Sequence, residues 1–265
     1  MCPTRGYHRA ASCGPRQSGE RHLVKPPAVD HGRQGLTEQH RFGIVFSTES
    51  DTGRVNSSER FDAAYYRRFY GRRPVHDRRQ IANLATAITA WARWWKLPVR
   101  SVLDVGAGKG YWRDWFAATH PRAHYHGLDV SPHACRTYGH ELADISDWAP
   151  PRAFDLVICQ SVLQYLGDEA CRRAIGVLAG ASRGVLFLEV PTTADRIAVV
   201  DAEHTDMDVH WRAGTWYRRR LDPLFVEVGG GLWVKRPSPV PFFELELNDR
   251  LPPRTEPGRG TPPGA

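Results

Sequence analysis

Long apolar runs are missing from this chain. No stretch approaches the ~20 apolar residues that a membrane-spanning helix requires, and the first 30 residues lack the apolar centre of a secretory signal, so a cytoplasmic location is expected. An organelle-targeting helix is not expected either, because Pro3, Gly6, Gly14 and Pro15 interrupt the Arg-bearing start. Cysteine is sparse as well. Cys2, Cys13, Cys135, Cys159 and Cys171 form no C-x-x-C pair and are odd in number, which argues against a zinc ribbon and a disulfide framework and leaves reduced, mostly structural thiols. Internal repeats are absent. Residues 1–57 lack sustained periodicity and are rich in Arg, Gly, Ser, Pro and His, with only brief apolar patches such as Phe42 to Phe46. They are expected to form a disordered or loosely attached arm. Residues 237–265 are a Pro-rich tail.

What remains is enough for one domain. At 265 residues with 41% hydrophobic content the chain can bury a sizeable core. Its +7 formal charge is concentrated in residues 61–99, where eight Lys and Arg face two acids. There Arg67, Arg68, Arg72, Arg73, Arg78 and Arg79 come in pairs, with Tyr65, Tyr66, Phe69 and Tyr70 interleaved. Such a stretch is either a solvated helix face with an aromatic packing stripe or a contact for phosphates or an acidic substrate. A helix is expected over Ser58 to Tyr70. A second begins at Asp77, whose spacing to Gln80 is that of a capping box, and Ile81, Leu84, Ala85, Ile88, Ala92 and Trp95 recur at helical intervals until Pro98. The two form a helical cap, residues 58–99, ahead of a domain at residues 100–236.

That domain opens on SVLDVGAGKGY, Ser101 to Tyr111. Val102, Leu103 and Val105 suit a buried strand, and Gly106, Gly108 and Gly110 at every second position then allow main chain to approach a ligand closely. The amphipathic segment Trp112 to His120 would aim its amides back at the turn, so a nucleotide-like ligand is expected. A Walker loop would need Gly five residues before Gly108-Lys109, where Leu103 stands. A dinucleotide fingerprint would need Gly at Tyr111. Neither rival fits.

Strand-like and helix-like segments then alternate, as a doubly wound, mostly parallel sheet requires. Strands are expected at His124 to Val130, Glu141 to Asp144, Phe154 to Cys159 and Gly184 to Val190. A helix is expected after the Ser131-Pro132 start, and another from Asp168 to Leu178, stopped at Gly180. Phe225 to Val228 and Leu232 to Lys235, joined by three glycines, read as an antiparallel hairpin closing the sheet. Asp104, Asp129, Asp144 and Gln160 thereby collect at the carboxyl edge, where open α/β sheets bind their ligands.

Asp104-x-Gly-x-Gly-x-Gly, Asp129 ending the second strand, Ala143-Asp144 ending the third and FDLVICQSVLQYL from Phe154 to Leu166 together resemble the successive cofactor motifs of class I S-adenosylmethionine-dependent methyltransferases. The resemblance spans about Val102 to Arg236 and implies a Rossmann-like fold with S-adenosyl-L-methionine as cofactor. It implies that Gly106, Gly108 and Gly110 accommodate the methionyl part beside Asp104. Asp129 would accept the ribose hydroxyls and Asp144 with Ile145 would meet adenine, while Gln160 and Ser161 would face the reacting centre. Asp129 and Asp144 are only 15 residues apart, so Asp147 competes for the adenine-proximal role. Two carboxylate oxygens suit a vicinal diol, each charge-assisted hydrogen bond being worth roughly 1.5–3 kcal/mol.

Ala202 to Arg220 is the most unusual stretch. Asp206, Asp208 and His210 alternate, which places them on one face of an extended segment, and Arg212 to Leu221 continues as a helix. His210 is the expected general base, with Asp208 orienting it and Gln160 nearby. Helix capping is the competing role, and with no fourth ligand evident a metal is not expected. An Asn/Asp-Pro-Pro-aromatic motif and a Pro-Cys nucleophile are both missing from the fourth strand, where Cys159-Gln160-Ser161-Val162 stands. A small-molecule O or N acceptor is therefore expected, ahead of RNA bound by residues 61–99 or a non-catalytic binding protein.

Overall fold

The computed structural model describes residues 60–71, 74–238 and 240–243, all within one compact unit, Asp51–Ala265. The expected arm at 1–57, most of the tail, Cys2, Cys13, Arg72 and Arg73 lie outside the described residues.

Seven strands form one sheet: β1 (Ser101–Val105), β2 (His124–Asp129), β3 (Glu141–Leu142), β4 (Phe154–Gln160), β5 (Ser182–Glu189), β6 (Phe225–Gly229) and β7 (Leu232–Lys235), in the order β3-β2-β1-β4-β5-β7-β6. The first five are mutually parallel, and β7 runs antiparallel between β5 and β6. The expected doubly wound sheet with its closing hairpin is what forms. The turn Gly229, Gly230 and Gly231 takes positive φ at all three residues, which glycine adopts without steric cost.

Side chains alternate faces along a strand, so each apolar run in the centre of the sheet feeds two cores. Val102, Leu156, Ile158, Val185 and Phe187 pack on one side with Ile81, Ala85 and Ile88 of α2 (Arg78–Trp94) and with Trp112 and Phe116 of α3 (Tyr111–Thr119). Leu103, Val105, Val157, Cys159 and Leu186 pack on the other, against the helices later in the chain. Asp77 caps α2 with the full reciprocal box, its carboxylate accepting from Gln80 N at 2.7 Å.

Four local expectations are corrected. The third strand stops at Leu142, so Asp144 lies in the turn beyond it, where its Oδ1 accepts from Ser146 N. The helix before α2 is α1, Ala63–Phe69, because Asp62 accepts from Tyr65 N at 2.8 Å and takes the N-cap. Gly180 does not stop α5, which runs from Asp168–Ala181 and passes straight into β5. Between them lies α4 (Pro132–Tyr138), capped by Ser131 as expected. A short α6, Thr193–Ala198, follows β5 with its own Thr192–Asp195 capping box, a spacing that carried no apolar stripe to mark it. The last helix, α7, starts at Gly214 and ends at Leu221 (Gly214–Leu221), because Arg212 is instead held in a buried pocket.

Candidate active site

Chain turns at the carboxyl ends of β1, β4 and β5 enclose a cavity of about 720 Å³. Its floor is the glycine loop from Gly106 to Lys109, whereas Gly110 lines neither this cavity nor the smaller one beside it and lies against Arg113. Gly106, Gly108 and Gly110 have φ of +70°, +50° and +70°, a left-handed region that costs other residues about 1–2 kcal/mol each. Gly106 is further constrained, since a Cβ there would lie 2.4 Å from Val162 Cγ2, whereas one at Gly108 would meet nothing closer than 3.8 Å. Asp104, just before the loop, is buried and accepts from the Tyr125 hydroxyl, and burial raises its carboxyl to about 7.

Asp129 ends β2 beside this loop. Its Oδ2 accepts from Gly108 N at 2.9 Å and its Oδ1 from Ser131 N at 2.8 Å, so each oxygen keeps a lone pair for a further donor. Burial raises its pKa against the pull of those bonds. Asp129, Asp144 and Ile145 line a second, smaller cavity of about 90 Å³, and Gly106, Gly108, Gln160 and Ser161 line both. Asp144 turns its Oδ1 to Ser146 N at 2.8 Å, and Asp147 pairs with Arg173 at 3.2 Å. The glycine loop, Asp104, Asp129 and Asp144, and Gln160 and Ser161 at the end of β4 are thus brought to one edge. These residues fit an adenosyl-type cofactor: a loop open to close approach, a two-oxygen acceptor with spare lone pairs, and the buried Ile145 beside it.

The end of β4 continues into Ser161, a non-glycine residue at φ +56°. Such a conformation is retained where surrounding contacts over-determine it. Here Ser161 N donates to Glu189 O at 2.8 Å. Glu189 ends β5 opposite Gln160 and gathers three side chains: His76 Nε2 at 2.9 Å, Ser161 Oγ at 3.3 Å and Gln160 Nε2 at 3.3 Å. Trp112 Nε1 in turn donates to Gln160 Oε1 at 3.0 Å. Burial pushes Glu189 toward its neutral form, but the His76 bond and the other donors outweigh it and hold the pKa below the usual value. Glu189 in return raises that of His76.

Aromatic residues of α1 form a wall of the cavity. Tyr65, Phe69 and Tyr70 line it, while Arg67 and Arg68 on the same helix are exposed. Tyr65 and Tyr165 join hydroxyls at 2.7 Å, Lys109 Nζ donates to Tyr70 O at 2.8 Å, and Arg60 pairs with Asp206 at 2.8 Å. Burial raises the phenols of Tyr65 and Tyr70 far above their ordinary value, so both stay neutral. Arg78 pairs with Asp114 at 2.7 Å.

The segment after β5 supplies Asp195, Asp201, His204 and Asp206 to the cavity lining. Neither Asp208 nor His210 is among the lining residues. Asp208 is exposed and lies 3.2 Å from Arg60, and His210 donates its backbone N–H to Gln164 O at 2.8 Å. Among the described residues one trio of possible metal ligands stands together, Asp201, Glu203 and His204, mostly exposed and distinct from the alternating set considered from sequence. Sequence reasoning also missed His76, Glu189, Gln164 and Arg212. Glu189 carried the same signal as Asp104 and Asp129, an acid at a strand's carboxyl end. The other three carried none.

A doubly wound sheet with a glycine loop and acids at its carboxyl edge defines a cofactor-binding α/β domain of nucleotide type. Residues 103–183 match the family model described as a methyltransferase domain. A trans-aconitate 2-methyltransferase of Methylobacterium radiotolerans is 34% identical over 155 residues, 55% of this chain and 55% of that protein. Another, from Rhodopseudomonas palustris, is 28% identical over 122 residues, 43% of this chain and 47% of that protein. The chain spans about half the length of these curated relatives. Among solved structures, Streptomyces venezuelae DesVI aligns with a TM-score of 0.48 at 18% identity, over 70% of this chain and all of that one. The magnesium protoporphyrin IX methyltransferase of Synechocystis aligns with 0.45 at 18%, over 67% and 97%. Residues 103–183 therefore carry a methyltransferase domain, and the α/β sheet built around them is similar to that of the class I S-adenosylmethionine-dependent methyltransferases.

Proposed function

We propose that this chain transfers a methyl group from S-adenosylmethionine to an O or N atom of a small molecule held in the 720 Å³ cavity. The observation that carries this reading is the shared wall: Gly106, Gly108, Gln160 and Ser161 line both the small cavity beside Asp129 and the large one. A donor bound along the loop would therefore border a chamber within the usual range of small-ligand sites, about 300–1,000 Å³. In this reading Asp129 binds the ribose diol, Asp144 and Ile145 border the adenine, and the glycine loop with Asp104 receives the methionyl part. When bound, the cofactor supplies an electrophilic methyl group on a sulfonium. The residues of this chain do the rest: they exclude water with the aromatic wall of α1, orient the acceptor, and hold the proton it releases. Much of the rate enhancement in an in-line displacement comes from such positioning.

The relatives' name makes a small carboxylic acid one acceptor to test. RNA is the second reading. Against it, Arg67, Arg68 and Arg79 are exposed away from the lining residues, and Arg78 is taken up by Asp114.

S-adenosylmethionine and S-adenosylhomocysteine, but not NAD or ATP, are expected to raise the melting temperature. A shift with NAD alone would sink the proposal. With a tritiated methyl donor and fractionated cell extract, label should enter small molecules. Label confined to RNA would promote the second reading, and no transfer despite cofactor binding would leave a binding protein.

A further inference from the structure

Three features of the large cavity bear on what kind of acceptor it takes. The first is the pair of His76 and Glu189, half-buried at the cavity edge next to Gln160 and Ser161. An ionised carboxylate only accepts, so His76 Nε2 at 2.9 Å carries the hydrogen of that bond, and Nδ1 is the ring nitrogen left to receive a proton. The second is Gln164. It lines the cavity and is 4% exposed, yet its Oε1 has no hydrogen-bond partner among the described residues. A buried acceptor oxygen without a donor costs about 1–3 kcal/mol unless a ligand supplies one. The third is charge. The described lining carries five carboxyl groups, with Asp104 raised toward its neutral form, Asp206 paired with Arg60, and Glu189 and Asp201 bonded to His76 and His204, while its one ammonium, Lys109, is committed to the Tyr70 carbonyl.

A carboxylate acceptor would waste all three. It is ionised at neutral pH and needs no base, it offers Gln164 no donor, and the cationic side chains at the described lining are already committed to other partners. A hydroxyl or an amine uses each of them. Resting on the methyltransferase reading above, we propose that the acceptor is a proton-bearing nucleophile, a hydroxyl or amine and not a carboxylate, that it donates to Gln164, and that His76 takes the proton it sheds. In that step the acceptor lone pair bonds to the methyl carbon of the sulfonium donor. The carbon–sulfur bond breaks with its electron pair passing to sulfur, and the acceptor proton moves to His76 Nδ1, from which it leaves to water. Glu189 is the positioning residue: its bond to Nε2 fixes the tautomer and steadies the imidazolium.

The product's chemistry tests this without naming the acceptor. The full chain is incubated with tritiated S-adenosylmethionine and a small-molecule extract of the native cells, and the product is treated with mild alkali. Methyl esters release volatile methanol, whereas methyl ethers and methylamines keep their label. Alkali-stable label is expected, and mainly volatile label would overturn the proposal. So would efficient methylation of trans-aconitate as a single defined probe. His76→Gln keeps a donor toward Glu189 but cannot take a proton, so turnover should fall about 10²- to 10⁴-fold while the melting shift with S-adenosylhomocysteine persists. Turnover within a few fold of wild type would make His76 a strut and overturn its role. Gln164→Met removes an unpaired buried oxygen together with the amide's bond to Tyr165, so it should melt close to wild type yet raise the acceptor KM about tenfold. An unchanged KM would count against the contact. A readout independent of turnover is the His76 tautomer. Long-range ¹H–¹⁵N correlation should show the neutral ring protonated at Nε2, and protonation at Nδ1 would overturn the assignment. If S-adenosylhomocysteine fails to stabilise the wild type, the methyltransferase reading itself has failed. If it stabilises and the label is volatile, only this inference has.

Discussion

Asp129 Oδ2 accepts a hydrogen bond from Gly108 N at 2.9 Å, which ties the acid at the end of β2 to the glycine loop after β1. The other oxygen is held by Ser131 N. Asp129→Asn must turn an NH₂ group toward one of these two amide donors, so a buried bond becomes a clash of donors. The variant should lose about 1–3 kcal/mol of stability in urea unfolding. It should also bind S-adenosylhomocysteine at least about tenfold more weakly by calorimetry, since a tenfold loss is only ~1.4 kcal/mol. Unchanged affinity would remove Asp129 from the cofactor site.

Gly106 and Gly108 separate backbone strain from packing. Gly108→Ala places a methyl group at φ +50° with no contact closer than 3.8 Å, so only the left-handed backbone cost of about 1–2 kcal/mol applies. Gly106→Ala adds a 2.4 Å approach to Val162, which must shift. The Gly106 variant should therefore melt lower than the Gly108 variant, while both weaken cofactor binding. Equal melting temperatures would show that Val162 yields freely.

Two buried acids should give stability opposite slopes in pH. Asp155 is lowered below the ordinary carboxylate value despite burial, because Arg183 lies 2.7 Å from Oδ1 and the amides of Arg100 and Ser101 donate to Oδ2. Its stabilisation is present above the unfolded pKa and is lost as pH falls through the folded one. Asp104 is raised to about 7 by burial, so folding is favoured with the proton on. Its ionisation costs progressively more stability as pH climbs from the ordinary value of 3.8 to about 7. Urea titrations across pH should show Asp155→Asn flattening the acid limb and Asp104→Asn flattening the loss between about pH 4 and 7. An Asp104 variant with the wild-type slope there would mean the carboxyl is not desolvated in solution.

His210 and His76 make competing candidates for the base. His210→Ala is expected to change turnover by less than about tenfold, because the residue is not among those lining the large cavity and its backbone N–H is anchored to Gln164 O. A loss of 10²-fold or more, recovered at higher pH, would return His210 to the catalytic role its alternation with Asp206 and Asp208 suggested.

Two long-range ties show how the cavity is assembled. Arg212 is 6% exposed and donates to Asp168 Oδ1 at 2.8 Å, to Leu163 O and Tyr217 Oη at 3.3 Å and to Leu166 O, so it binds the chain after β4 to α7. Arg60 does the same between the start of the described chain and Asp206. Neither pair has a sequence signature, because each joins residues far apart whose separate surroundings are unremarkable.

Sequence alone determined what is periodic or local. Apolar runs fixed β1, β4 and β5, capping spacings fixed α2 and α4, and glycines marked the two turns that take positive φ, the loop after β1 and the hairpin turn. Acids at strand ends then had to share an edge, because parallel strands all finish on the same side. The Gly180 and Arg212 expectations failed for a physical reason: a helix stop or start is decided by what the neighbouring residues pack against, and Ala181 and Arg212 are both buried by tertiary contacts. The tertiary structure alone decided the acceptor side. His76 and Glu189 are 113 residues apart, and nothing in either local stretch encodes the 2.9 Å between them. Their encounter, and the burial of Gln164 Oε1, follow from where the start of α2, the end of β5 and the turn after β4 come to rest around one cavity, a property of the packed whole rather than of any segment.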